Sequence, residues 1–380
     1  MNAYKIVVIG DKDAGKSTLI GKIAILTKSI SEARINEAKM ESKKLGKEFE
    51  PAFILDAFKE EREKGLTIDT TAVDVPYKDV TFQFIDVPGH ESLIKNMLTG
   101  ASNAKVGVVV ISAKQDEGFT SETKLHIKLA NMLGIDKFIF FINKMDKCYY
   151  SNDAIIKIFR DVNIFLKPLF NGIKSIEFNY GSALRGENIM KPSKKIWWYK
   201  GGALMETLYK FVKDDEKTNE NMATIISLQG VFEDKIFGKI ISGDIEKSKD
   251  YYLMPGNKKV SIDEYKKNGN SISLKIAKLN KTDTSGKVLV ENKNDVFVSD
   301  KIYAKMFFIK KPEKHFYISF LGKKYKASLN YKGNKKKLVF INGTIKLEEN
   351  IAYKSFNKTK ELGRFAIYDK NLNFNGFGII

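Results

Sequence analysis

Cysteine is nearly missing from this chain: Cys148 is the only one in 380 residues. A lone thiol excludes an intramolecular disulfide and any cysteine-rich metal site. Long hydrophobic runs are missing too, and no apolar stretch reaches the roughly 18 residues needed to span a membrane. The amino terminus lacks a signal-peptide pattern, because Met1 leads almost at once into the strand-like run Lys5–Ile9. A cytoplasmic protein that does not enter the membrane is expected. Acidic residues are in short supply, 46 against 65 lysines and arginines, for a formal charge of +19. Residues 301–380 carry 18 basic and five acidic side chains, a surplus of 13. Such a region suits RNA, an acidic partner or an anionic surface. The plainer alternative is a compositional bias, with lysines spread over solvated faces.

What is present bounds the architecture. A mass of 43.1 kDa exceeds what one ordinary core organises, so two or three domains are expected. Through residue 210, apolar strands at 4–10, 80–86, 106–112 and 137–142 alternate with helical segments, which predicts a parallel sheet covered by helices. A charged, helix-rich insertion fills 31–64. Around 211–222 the composition turns polar and reads as a linker. Short alternating runs at 223–232, 236–242, 258–263, 271–278 and 286–291 then predict a small β-barrel. The expected division is a nucleotide-binding α/β domain over 1–212, a β-barrel over 222–308 and a short β-barrel-like domain over 309–380.

The strongest chemical signal is Gly10-Asp-Lys-Asp-Ala-Gly15-Lys16-Ser17, a complete G-x-x-x-x-G-K-S between a strand and a helix starting near Ser17. Its backbone N–H groups, including those of Asp13, Ala14, Gly15 and Thr18, are expected to cradle phosphates at a helix N-terminus. Lys16 is expected to reach the β- and γ-phosphates, and Ser17 to give a hydroxyl to Mg²⁺. The loop alone does not separate adenine from guanine. Asn143-Lys144-Met145-Asp146 follows a strand, and the Asp146 carboxylate matches the N1–H and 2-amino protons of guanine. Adenine would leave that carboxylate unpaired, at a cost of about 1–3 kcal/mol. Ser182-Ala183-Leu184 sits where a backbone N–H can meet the guanine O6. Asp86-Val-Pro88-Gly89-His90 supplies Asp86 toward Mg²⁺, the Gly89 N–H toward the γ-phosphate, and His90 to orient water. Thr67, in Gly65-Leu-Thr67-Ile-Asp69, is the expected further Mg²⁺ ligand. Lys16, Thr67 and His90 form the expected catalytic set, with GTP or GDP and Mg²⁺ as the bound groups.

These motifs, in this order, resemble the translation-factor branch of GTPases, above all elongation factor 1A. Within that branch, several segments are most similar to the GTPase subunit of bacterial heterodimeric ATP sulfurylase. They include Gly15-Lys-Ser-Thr-Leu-Ile-Gly21, the run from Gly46 to Ala57, Gly181-Ser-Ala-Leu-Arg-Gly-Glu-Asn-Ile189 and Glu361-Leu-Gly-Arg-Phe365. That resemblance implies GTP hydrolysis coupled to adenylyl sulfate synthesis by a catalytic ATP-pyrophosphatase-type partner subunit. The alternative is an elongation factor that binds aminoacyl-tRNA and the ribosome. The chain departs from its relatives at Asp11-Lys12, where they usually have serine or histidine and then valine. The third domain is also short, which argues against a full tRNA-embracing surface.

Overall fold

The run Tyr4–Gly10 (β1) ends in five buried residues and is the centre of a six-stranded sheet. This computed structural model describes all residues except 1–2, 45, 47–48, 56–70, 88–92, 95–103, 115–116, 216–222, 234, 277–283 and 334–336. It divides the chain into two units, Met1–Thr218 and Asn219–Ile380.

In the first unit the other strands are Thr71–Tyr77 (β2), Val80–Asp86 (β3), Val106–Ser112 (β4), Lys137–Asn143 (β5) and Ser175–Tyr180 (β6). Their order is β2-β3-β1-β4-β5-β6, parallel except for the β2–β3 pair. Every residue of β4 and β5 is buried, as expected for parallel strands covered on both faces. The covering helices are Lys16–Leu26 (α1), Glu32–Lys44 (α2), Ser121–Met132 (α3), Asp153–Leu166 (α4) and Leu204–Asp215 (α5). The sheet order reverses at β1, and the loop after that strand is where such folds leave a crevice for ligands.

Two differences from the sequence reading have local causes. β2 went unrecognised because Pro76 breaks a strand pattern; it is tolerated here at a sheet edge, where a missing N–H costs no ladder bond. The polar linker begins later than expected, since residues 211–215 close α5 with Phe211 and Val212 buried. Lys137 reaches that helix end from β5, donating from Nζ to the Phe211 carbonyl at 3.1 Å. A cation there complements the negative end of the helix.

The second unit is all β, as its turn-punctuated pattern predicts. Strands Ile225–Phe232 (β7), Lys235–Ser242 (β8), Tyr251–Met254 (β9), Lys258–Val260 (β10), Glu264–Asn268 (β11), Ser271–Lys275 (β12) and Val288–Val290 (β13) make one seven-stranded antiparallel sheet. Its core contains Ile226, Leu228, Tyr251, Leu253, Leu274 and Leu289. Strands Phe297–Lys310 (β14), His315–Phe320 (β15), Lys323–Ser328 (β16), Lys337–Tyr353 (β17), Arg364–Tyr368 (β18) and Phe374–Ile379 (β19) close into a barrel. Its interior holds Ile302, Met306, Phe308, Phe316, Ile318, Ile345, Phe365 and Ile367. β14 runs across the division expected at 309, pairing with β17 from Phe297 to Lys310 with one register shift between Ser299 and Lys301. The closed barrel therefore starts about a dozen residues before that division, because no turn residue interrupts the alternating burial of 301–306.

Candidate functional site

The chain leaves β1 through Gly10, whose φ of 149° and position against β4 leave no room for a side chain: a Cβ would lie 2.3 Å from the Val110 carbonyl oxygen. It curls through Asp13 (φ 65°) and Gly15 (φ 95°) into α1. Gly15 is confined in the same way, since a Cβ there would meet Asn143 Nδ2 at 2.3 Å. The loop thus tightens onto the helix N-terminus, where unpaired backbone N–H groups and the helix dipole favour an anion.

Lys16 Nζ donates to the loop's own carbonyls, Gly10 O at 3.1 Å and Asp11 O at 2.7 Å. Burial pushes its pKa down, while Asp86, Asp11 and neighbouring carboxylates oppose that shift. A cation that is partly desolvated, yet surrounded by acceptors, is ready to exchange carbonyls for phosphate oxygens. Ser17 Oγ donates to Asp86 Oδ2 at 3.0 Å, although 69 residues separate them in sequence. These two oxygen donors beside the phosphate loop fit Mg²⁺, which takes oxygen ligands and usually keeps phosphates and waters among them.

Asn143, at the end of β5, is almost fully buried and joins two loops. Its Nδ2 donates to the Ala14 carbonyl at 2.8 Å, and its Oδ1 accepts from the Ala183 N–H at 2.8 Å. Those partners settle which amide atom is which, since one is only an acceptor and the other only a donor. Asn143 is therefore a strut between the phosphate loop and the 182–184 loop. Because the Ala183 N–H is engaged, the Leu184 N–H is the one in this segment without an acceptor among the described residues.

Asp146 lies in a short 3-10 turn, Met145–Cys148, entered through Lys144 in the left-handed conformation (φ 61°). Lys144 Nζ pairs with Glu117 Oε2 at 2.7 Å, and Lys114 Nζ with Glu117 Oε1 at 3.0 Å. Burial would raise the Glu117 pKa, but bonds from Lys144, Ser112 and Lys114 prevail and hold it at about 2. Sequence reading gives no site role to Glu50 and Ala52, which lie in the 46–57 run used only for resemblance, or to Lys147, which follows Asp146; Lys114 and Glu117 lie in no motif word and reach the site only through the fold.

One cavity of about 590 Å³ joins these parts. Asp13, Gly15, Lys16, Ser17, Thr18, Asn143, Lys144, Asp146, Ser182 and Leu184 line it, with Glu50, Ala52, Lys114 and Lys147. Its size is within the roughly 300–1,000 Å³ usual for small-molecule sites. Ala14 and Ala183 stand behind the wall, held by Asn143, and Asp86 lies beneath Ser17. Thr67, Gly89 and His90 lie outside the described residues. Among the described residues, no helix is long and apolar enough to cross a membrane.

A G-x-x-x-x-G-K-S loop, the Ser17–Asp86 oxygen pair and the Asp146 turn, gathered about one cavity, fit the class of guanine-nucleotide-binding proteins. Comparison with known proteins narrows this class. The model of the elongation factor Tu GTP binding domain matches residues 1–214, and the chain belongs to that family. Elongation factor 1-alpha of Picrophilus torridus is 36% identical over 260 residues, covering 67% of this chain and 61% of that protein. Elongation factor 1-alpha of Ignicoccus hospitalis is 33% identical over 330 residues, covering 81% of this chain and 75% of that protein. The chain spans about three fifths of the length of the first of these relatives. The GTP-bound structure of the Saccharomyces cerevisiae Ski7 GTPase-like domain shares the fold, with a TM-score of 0.57 and 17% identity. It covers 100% of this chain and 97% of that one.

Proposed function

We propose that this chain is a translational GTPase of the elongation factor 1A type, which holds GTP in the cavity beside Lys16 and Asp146. It hydrolyses GTP slowly by itself and faster on a ribosomal partner. The observation carrying this reading is the double tether of Asn143, which ties the phosphate loop to the 182–184 loop beside Asp146. A nucleotide filling the cavity is then gripped at its phosphates and its base by one rigid frame. The relatives named above support the elongation-factor branch.

In this mechanism Lys16 leaves the Gly10 and Asp11 carbonyls and offsets charge on the β- and γ-phosphates. Ser17, Asp86 and Thr67 would hold Mg²⁺, which would supply positive charge to offset that developing on the transferred phosphoryl group. His90 orients the attacking water in line with the leaving oxygen, and Gly89 meets the γ-phosphate. Asp146 accepts from the guanine N1–H and 2-amino group, while a backbone N–H of the 182–184 segment meets O6.

Turnover of the isolated protein at about 10⁻⁴–10⁻³ per second is expected, as for GTPases without an arginine finger. The test is GTP hydrolysis with and without ribosomes charged with aminoacyl-tRNA. Marked stimulation supports the proposal, and fast turnover of the isolated chain overturns it. The reading as a sulfurylase subunit makes a different demand. A pull-down with a non-hydrolysable GTP analogue would then recover a subunit that makes adenylyl sulfate, and neither ribosomes nor tRNA. None of the relatives reported above is a sulfurylase subunit, so the elongation-factor reading takes precedence.

A further inference from the structure

Next to the base end of the cavity, but outside it, two aromatic rings stand in solvent among lysines. The turn Met145–Cys148 exits through Tyr149 (φ 54°) and Tyr150 (φ 58°), two consecutive non-glycine residues in the left-handed region. Such a conformation persists only where the surroundings over-determine it, and it gathers at functional places. Here the Tyr150 N–H donates to the Met145 carbonyl at 2.8 Å, and Trp198 Nε1 donates to the Tyr150 carbonyl at 2.8 Å. Lys195 Nζ lies 5.3 Å from the centre of the Tyr150 ring. These contacts join the tyrosine turn to the segment Lys194–Trp198. They bury neither Tyr149, which is 94% exposed, nor Trp197, which is 74% exposed.

The charges beside these rings are mostly positive. Lys191, Lys194 and Lys200 have no carboxylate within ion-pair distance among the described residues. Of the two carboxylates that act on Tyr150, Asp146 and Glu187, Glu187 is already engaged by Lys195 at 2.9 Å and by the Ser193 hydroxyl. Interfaces between proteins enrich tyrosine and tryptophan but are depleted in lysine. Sites for single-stranded nucleic acid combine both, with bases on the rings and the backbone along the positive charges.

We propose that Tyr149 and Trp197 form a stacking platform for single-stranded nucleic acid, with its phosphates directed to Lys191, Lys194 and Lys200. Neither ring lines the nucleotide cavity. Its two sources, RNA and DNA, share the chemistry, and the experiment separates them.

The test uses the full chain saturated with GDP and fluorescein-labelled ten-nucleotide oligomers of mixed sequence, ribo- and deoxyribo-, with a poly-glutamate peptide as competitor. Fluorescence anisotropy reports binding, and tryptophan emission reports stacking. The expected result is binding with a loss of tryptophan emission that Trp197→Ala abolishes. Trp197→Ala and Tyr149→Asn, which suits the left-handed turn, are each expected to weaken binding about 5- to 150-fold. Lys194→Ala is expected to lower the slope of log K against log salt by about 0.7. GDP affinity, measured for each variant, is expected to stay as in the parent and shows that the fold is kept. A stronger ribo-oligomer identifies RNA as the source, and a stronger deoxyribo-oligomer identifies DNA. Absence of binding overturns the proposal. So does binding of full strength in the Trp197→Ala and Tyr149→Asn variants, or displacement by poly-glutamate as effective as by unlabelled oligomer.

Discussion

Replacing Asn143 by alanine cuts both ties between the phosphate loop and the 182–184 loop. The Ala14 carbonyl loses a donor at 2.8 Å and the Ala183 N–H an acceptor at 2.8 Å, and both residues are buried. Each orphaned group costs about 1–3 kcal/mol, so the pair amounts to roughly 2–6 kcal/mol. Against a total stability of about 5–15 kcal/mol this is a large share. For a unit of this size, 1 kcal/mol moves Tm by about 2–4 °C, so a fall of roughly 4–24 °C is expected. The low end applies if water enters the vacated space and bonds both groups. Asn143→Asp is the sharper variant. It keeps the acceptor for Ala183 but sets a carboxylate oxygen against the Ala14 carbonyl, so only one tie survives and a repulsion is added. Thermal unfolding with and without GDP measures the loss of stability, and GDP dissociation by stopped flow measures the loss of grip. Both variants are expected to release GDP faster, with Asn143→Asp affected despite its similar size. An Asn143→Ala protein with unchanged Tm and unchanged GDP dissociation would refute the strut.

Other outcomes follow from the same geometry. Asp146→Asn is expected to weaken GTP by about 5- to 150-fold relative to XTP, whose 2-oxo group accepts from the new amide; a competition assay with both nucleotides reads the ratio. Glu117, held at about 2 in the fold, contributes stability that is fully present above its unfolded pKa of about 4.5. That contribution is lost as pH falls from there through about 2. The Tm difference between parent and Glu117→Gln should therefore be largest near neutrality and shrink below pH 4; a constant difference from pH 7 to pH 2.5 would remove the ion pairs with Lys144 and Lys114 as its cause. Gly15→Ala is expected to abolish nucleotide binding, because its Cβ would lie 2.3 Å from Asn143 Nδ2 at a φ of 95°; equilibrium titration with fluorescent GDP checks it.

The phosphate loop could be read directly because its chemistry is local. Glycines at positions 10 and 15, a lysine and a serine act within eight residues, and the flanking strand and helix announce themselves by periodicity. The parallel sheet was legible for a similar reason, since β4 and β5 are continuous apolar runs. β11, with all five residues exposed, carries no apolar alternation and is a strand only because β12 pairs with it. β9, only four residues long, is placed by β10 and β13 on either side.

By itself, then, the amino-acid order determined the α/β unit, the β-rich unit and the kind of ligand, because each depends on short-range periodicity or on motifs that contain their own geometry. Tertiary structure alone decided the role of Asn143, which spans 129 positions to Ala14 and 40 to Ala183. It also decided the Glu117 pairing with Lys144, 27 positions away, and the meeting of Trp198 with Tyr150 across 48. Hydrogen bonds and ion pairs act over about 3 Å in space whatever the separation along the chain. The partners in such contacts are chosen by the packing of the sheet that carries them.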